Sequence, residues 1–255
     1  MTDAHCHIAR GETRHFLCAP FTGDVGPNDV VFYGCHPWDV DKLTNLDDFI
    51  EKLRSRLGTD PEKLGPVPTD LGPVPRVGVG EIGLDRLKAK TIPEAMRTAL
   101  AAQLQVAAEF RRPVQLHGAK CWGEVVKACR PFAGQIPAFI FHGFSRSDGL
   151  LPEIFALNGF VSIGPAILND HAVNYRAMAK KVPLERLLVE SDATGLVEHS
   201  STITAATITP EAITPAAIST APRVEEVAAK LAELRGMRLE ALVANLERNA
   251  DGVVP

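Results

Sequence analysis

Residues 76–118 read RVGVGEIGLDRLKAKTIPEAMRTALAAQLQVAAEFRRPVQLHG. The stretch opens on a short apolar run, Arg76–Gly80, and closes on a second, Pro113–Leu116, both of strand length. Between them residues 92–111 carry helical spacing, with Met96, Leu100 and Leu104 on one face. Thr91 and Glu94 offer a capping box and Pro93 suits the first turn. Strand, helix and strand in this order predict a βαβ unit with parallel strands.

The same alternation continues in both directions. Further strand-like runs are Thr2–His5, His15–Ala19, Val30–Cys35, Ala138–Phe141, Gly159–Ile163 and Leu187–Val189, which makes eight in all. Helical patterns occupy 43–57, 122–130, 150–158, 172–181, 223–235 and 239–248. Eight strands alternating with helices in 255 residues predict a closed (β/α)8 TIM-type barrel, with one domain spanning 1–255. A doubly wound open sheet is the competitor on pattern alone. Only residues 9–14 separate the first two runs, whereas a parallel crossover needs about a dozen. The barrel is therefore expected to be irregular at its first crossover. Residues 58–75 hold LGPVP twice, and 201–222 read STITAATITPEAITPAAISTAP; both are taken as inserted loops.

Composition bounds the function. A hydrophobic content of 45% with 23% charged residues excludes a disordered chain. The formal charge of −4 provides no broad positive field for nucleic acid, so an anionic ligand has to be held locally. No run of about 18 apolar residues indicates a membrane span. The first motif begins at Asp3, which leaves no room for a cleaved leader. Five cysteines without a CxxC pair read as reduced thiols of a cytoplasmic protein.

The chemistry stands where the strand runs stop. The first ends in DAHCH, and in an extended segment Asp3, His5 and His7 share a face. Two imidazoles spaced in this way can grip one ion, with Asp3 behind them to fix a tautomer. Other runs end at His36 (GCHPWD), Glu81 and Asp85 (GEIGLD), His117 (QLHG), His142 (IFHGFS), and Glu190 and Asp192 (VESDA). In a barrel these ends converge on one mouth. Four histidines and two carboxylates exceed one tetrahedral shell and suit two divalent ions sharing Glu81. His5, His7, Asp192 and Glu81 would hold the first ion; His117, His142 and Glu81 would hold the second. Imidazole favours zinc, manganese, iron or nickel, but availability often decides, so magnesium stays open. Arg10, Arg14, Arg86, Lys88, Lys120 and Arg146 lie near predicted strand ends and offer a local phosphate clamp.

The ordered set DAHCHI, GCHPWD, GEIGLD, PVQLHG, FIFHGFS and LLVESDA resembles the TatD-type metal-dependent deoxyribonucleases of the amidohydrolase superfamily. The helix leading into His117, ALAAQLQVAAEFRRPVQLH, is similar as well. The resemblance implies a (β/α)8 barrel, one or two divalent ions and hydrolysis of phosphodiesters in DNA. It implies metal ligation by His5, His7, Glu81, His117 and His142. Asp192 would touch metal and water as a catalytic acid–base group beside Glu81, and His36 would contact substrate phosphate. The chain departs from the family pattern at Ala119, Arg146 and Thr194, where arginine, glycine and proline are usual. The usual Asn-Glu-Pro element is absent too, so the metal shell is kept while the substrate shell is altered. Two other hydrolases start from similar residues. A metallophosphatase opening on HxH would close on Asp-x-His, where this chain has Asp192-Ala193-Thr194. A lactone or amide hydrolase would bridge its ions by a modified lysine, where this chain has Glu81. A metal-binding barrel without turnover is the non-enzymatic alternative.

Overall fold

The computed structural model describes residues 1–9, 13–58, 76–87, 91–145, 148–193 and 222–254. Eight strands follow one another around a single sheet: β1 (Thr2–Ile8), β2 (Arg14–Thr22), β3 (Val30–Tyr33), β4 (Arg76–Asp85), β5 (Val114–Ala119), β6 (Phe139–Phe141), β7 (Gly159–Ile163) and β8 (Leu187–Val189). Every adjacent pair is parallel. The ring is joined beyond β8, where the Asp192 amide donates to the His5 carbonyl (3.0 Å) and the His7 amide to the Ala193 carbonyl (2.9 Å).

Helices cover the outside: α1 (Leu46–Leu57), α2 (Glu94–Glu109), α3 (Trp122–Cys129), α4 (Leu151–Ala156), α5 (Val173–Lys181), α6 (Val224–Arg235) and α7 (Leu239–Val253). The two-residue strand period sorts the core into layers. Phe139, Phe141, Val161, Ile163, Leu187 and Val189 pack with the helices. Their alternates Ile140, Phe160 and Leu188 join Ala4, Phe16, Val30 and Phe32 in the barrel interior. Gly78 belongs to this arrangement, since a Cβ there would lie 2.3 Å from the Phe32 ring.

The connection from β1 to β2 consists of residues 9–13 alone, too short for a crossover helix, and β1 pairs with β2 through register shifts. The first crossover is thus irregular, as the sequence predicts. Two local expectations are corrected. The capping box does not form: α2 starts at Glu94 behind an extended Pro93 and has no side-chain cap, because the rigid proline already sets the entry. β1 and β4 run past His5 and Gly80 to Ile8 and Asp85, so their polar residues lie on strands rather than beyond them. The repeat at 59–75 and the tract at 201–221 lie outside the described residues. Among those described, no helix is long and apolar enough to cross a membrane.

Asp29 fixes the entry to β3. Its buried carboxylate accepts the backbone N–H groups of His15 (2.6 Å) and Gly26 (2.7 Å). Burial raises its pKa, but these bonds and the neighbouring His15 ring outweigh burial and hold it below the usual value. A depressed carboxylate stabilises the fold above its unfolded pKa of about 3.9, and that support fades as pH falls through the lower folded value. Asp29→Ala is expected to cost about 1–3 kcal/mol at pH 7, because it leaves buried donors unpaired. Urea titrations at pH 7 and pH 3 check this: the gap to wild type shrinks at the lower pH.

Candidate metal centre

Glu81 stands at the middle of a ring of imidazoles. Its Oε2 lies 3.4 Å from His5 Nε2 and 3.7 Å from His7 Nε2. Its Oε1 lies 2.7 Å from His142 Nε2, 2.8 Å from His117 Nδ1 and 3.4 Å from His36 Nε2. Asp192 Oδ1 is 3.5 Å from His5 Nε2. The fold therefore gathers His5, His7, Glu81, His117, His142 and Asp192, contributed by β1, β4, β5 and the turns after β6 and β8. His36, three residues past β3, joins them.

Several of these distances are too long for a hydrogen bond and suited to a shared cation. Two donor atoms about 2.1 Å from one ion at a tetrahedral angle stand about 3.4 Å apart. His5 Nε2 is buried with no hydrogen-bond partner, 3.4–3.5 Å from two carboxylate oxygens. Among the described residues, three sets fall within reach of a common ion: His5–His7–Glu81, His5–His142–Asp192 and His36–Glu81–His117. The donors, imidazole and carboxylate, fit a divalent metal.

Supporting bonds decide which ring nitrogen faces inward. His5 Nδ1 donates to Gln115 Oε1 (2.5 Å), and Gln115 Nε2 is anchored on the Ala4 carbonyl (2.6 Å). His7 Nδ1 donates to the carbonyls of Cys18 (2.8 Å) and Pro20 (3.1 Å). Because these partners only accept, both histidines carry the proton on Nδ1 and offer an Nε2 lone pair. His36 has the opposite arrangement. Its Nδ1 accepts the Trp38 backbone N–H (3.1 Å), so the neutral ring presents Nε2–H to Glu81. Gln103 holds that loop by accepting the Cys35 amide (2.7 Å).

Asp3 does not fix a ligand tautomer as its spacing suggests. It accepts the Ser191 amide (2.9 Å) and ties β1 to the segment after β8. Gln115 and the two carbonyls do that work instead, and polar residues inside apolar strand runs gave no sequence signal of it. Among the candidates for the phosphate clamp, two are engaged in ion pairs. Arg14 opens β2 at the end away from the mouth and pairs with Asp251, while Arg86 pairs with Glu124. Lys120 is exposed on the turn after β5; Arg10, Lys88 and Arg146 lie outside the described residues.

The electrostatics centre on Glu81. Burial raises its pKa, but His142, His36, His5 and His117 hold it well below the carboxylate range. Burial lowers His142, yet Glu81 and Glu190 carry it well above the imidazole value. Burial and His142 push His5 well below it. Asp192 is pushed up to about 6 by desolvation, with Glu190 and Glu81 adding and His142 and His7 opposing. Its side chain is nonetheless 45% exposed, against 6% for Glu81, so it is the carboxylate of the cluster that opens to the mouth.

Comparison with known proteins follows the same lines. A family model described as TatD related DNase matches residues 26–254. A 3'-5' ssDNA/RNA exonuclease TatD from Pectobacterium parmentieri is 33% identical over 122 residues, 48% of this chain and 47% of that one. The chain thus spans about half the length of the curated relatives it matches. An uncharacterized metal-dependent hydrolase, YabD from Bacillus subtilis, is 24% identical over 174 residues, covering 68% and 63%. Among solved structures, the TatD homologue YJJV from Escherichia coli K12 superposes with a TM-score of 0.70 at 20% identity, over 99% of this chain and 97% of that one. An uncharacterized amidohydrolase from Saccharomyces cerevisiae gives 0.60 at 17% identity, over 90% and 82%. The family match runs from before β3 to the end of α7 and takes in every cluster residue except His5 and His7, so the chain belongs to the TatD-related DNase family.

Proposed function

We propose that this chain is a divalent-metal-dependent hydrolase that cleaves phosphodiester bonds, with single-stranded DNA or RNA as its substrate class. It would act as one barrel domain spanning 1–255 in the cytoplasm, where its five buried cysteines stay reduced. The observation that carries this reading is the carboxylate of Glu81, flanked by inward-facing histidine nitrogens on both of its oxygens. His5, His7, Glu81 and Asp192 would hold one ion, and Glu81, His117 and His142 a second, zinc or manganese by ligand type.

Bound divalent metal supplies Lewis acidity and an activated water at neutral pH. The chain supplies the rest. Asp192, at the open edge of the cluster, would orient the attacking water and accept its proton. His36 would donate its Nε2–H to a phosphoryl oxygen, which is why it stays a substrate contact in this reading rather than a ligand. Lys120, exposed on the turn after β5, and Arg146, by its place in the sequence, would add positive charge for the substrate. The exonuclease named among the relatives supports nucleic acid as the substrate.

Purified protein is to be incubated with manganese, zinc or magnesium and four substrates: bis-p-nitrophenyl phosphate, single-stranded DNA, a phosphomonoester and a lactone. The two diesters are expected to be hydrolysed. A chelator is expected to reduce the rate at least about 100-fold, and added metal to restore it. Full activity in the chelated protein sinks the metal mechanism; turnover of only the monoester or the lactone sinks the substrate class.

A further inference from the structure

We propose that Asp85 is the positioning residue of His117: it turns the Nδ1 edge of that ring toward Glu81, and Trp38 locks Asp85 in place for the task. The inference rests on the metal-dependent reading above and concerns a carboxylate that the catalytic scheme does not use.

Both nitrogens of His117 face carboxylates. Nδ1 lies 2.8 Å from Glu81 Oε1, and Nε2 lies 2.9 Å from Asp85 Oδ2. Asp85 is fully enclosed, its side chain 0% exposed. Its Oδ2 also accepts the indole N–H of Trp38 (2.6 Å), and its Oδ1 accepts the Leu87 amide (2.6 Å). Three donors from three directions fix the plane of the carboxylate. A carboxylate only accepts, so each nitrogen of His117 can carry a proton toward its partner; a cation at the Glu81 cluster would take the place of the Nδ1 proton, and Asp85 would keep the one on Nε2. Nδ1 is left to supply the lone pair at the cluster, the reverse of His5 and His7, which offer Nε2.

The strand geometry makes this pairing local and rigid. Glu81 and Asp85 are four residues apart on β4, and β4 pairs with β5 so that Gly83 stands opposite His117. A Cβ at Gly83, whose φ is +156°, would lie 2.0 Å from the His117 carbonyl oxygen. No side chain can therefore separate the strands there, and both β4 carboxylates reach the one imidazole. Trp38 reaches Asp85 from the loop after β3 that also presents His36, and its ring stands edge-on to His36 (centroids 4.9 Å apart). The loop that carries His36 is thereby tied to the support of His117. A carboxylate behind a ligating imidazole both orients the ring and raises its basicity.

Two measurements test this. In cadmium-113-loaded wild-type protein carrying 15N-histidine, the metal coupling of His117 is expected at Nδ1, with a proton on Nε2. In manganese titrations followed by electron paramagnetic resonance, Asp85→Asn is expected to weaken one of the two proposed sites, the one that His117 would ligate, about 10–100-fold. Trp38→Phe, which keeps the carboxylate but releases its indole anchor, should fall at the lower end, about tenfold. A His117 coupling at Nε2 overturns the proposal, as does a folded Asp85→Asn protein with wild-type manganese affinity. If Asp85→Asn does not fold, the wild-type cadmium spectrum and Trp38→Phe decide. Wild-type protein that takes up neither manganese nor cadmium sinks the metal-dependent reading and this proposal together. Metal uptake with His117 bound through Nε2 sinks only this one.

Discussion

Glu81→Ala is expected to yield a folded barrel that has lost the proposed hydrolytic activity, with kcat/KM down by about 1,000-fold or more, equivalent to about 4 kcal/mol of transition-state stabilisation. The size follows from position. Both oxygens of this side chain are engaged, and His5, His7, His36, His117 and His142 all lie within 3.7 Å of it. Each proposed ion loses a ligand at once, so bound metal measured by mass spectrometry is expected to drop below the wild-type ratio. The fold should survive, because the strands around Glu81 are held by backbone pairing and by an apolar layer that does not include it. A variant retaining more than a tenth of wild-type kcat/KM with unchanged metal content would remove Glu81 from the centre of the mechanism.

Asp192→Asn is expected to separate chemistry from metal retention. Loss of a general base costs about 100- to 10,000-fold. His5, His7 and Glu81 remain to hold the ion, so metal content should stay near wild type. The backbone at Asp192 has φ +49°, a left-handed conformation that asparagine adopts as readily as aspartate, and its amide bond to the His5 carbonyl is untouched. A loss of rate with preserved metal and preserved melting temperature supports the proton-accepting role. Unchanged kcat would assign that role to another group.

Much of this molecule could be read from its sequence, and the reasons differ by element. β7 and β8 match their predicted runs residue for residue, since Gly159 and the turn after Val189 bound continuous apolar segments buried on both faces. β1 and β4 were cut short at His5 and Gly80 because a histidine or carboxylate interrupts the apolar pattern. In the barrel those polar side chains point to the mouth, and the backbone ladder continues beneath them. The ligand candidates were legible because they fall at ends of strands that a barrel must bring together. Their supports were not. Gln115 and Cys18 look like ordinary polar interruptions of a strand, and only the closure of β5 against β1 and β2 reveals what they touch. Asp3 was misread for a related reason. Sharing a strand face with His5 says nothing of the Ser191 amide, which arrives from the far end of the sheet.

The strand that carries His5 and His7 is tied at its base to α7: the Thr2 amide and hydroxyl both donate to Glu247, at 2.6 and 3.0 Å. Along its other edge it meets residues 192 and 193. His5 and His7 therefore wait during synthesis for residues 192 and 193 before their strand is flanked on both sides. During synthesis the half-built chain has His5 and His7 but no frame to aim them, and a prematurely terminated product would carry the ligands without the grip. Assembly of the centre is in this way coupled to the arrival of β8 and the segment that follows it.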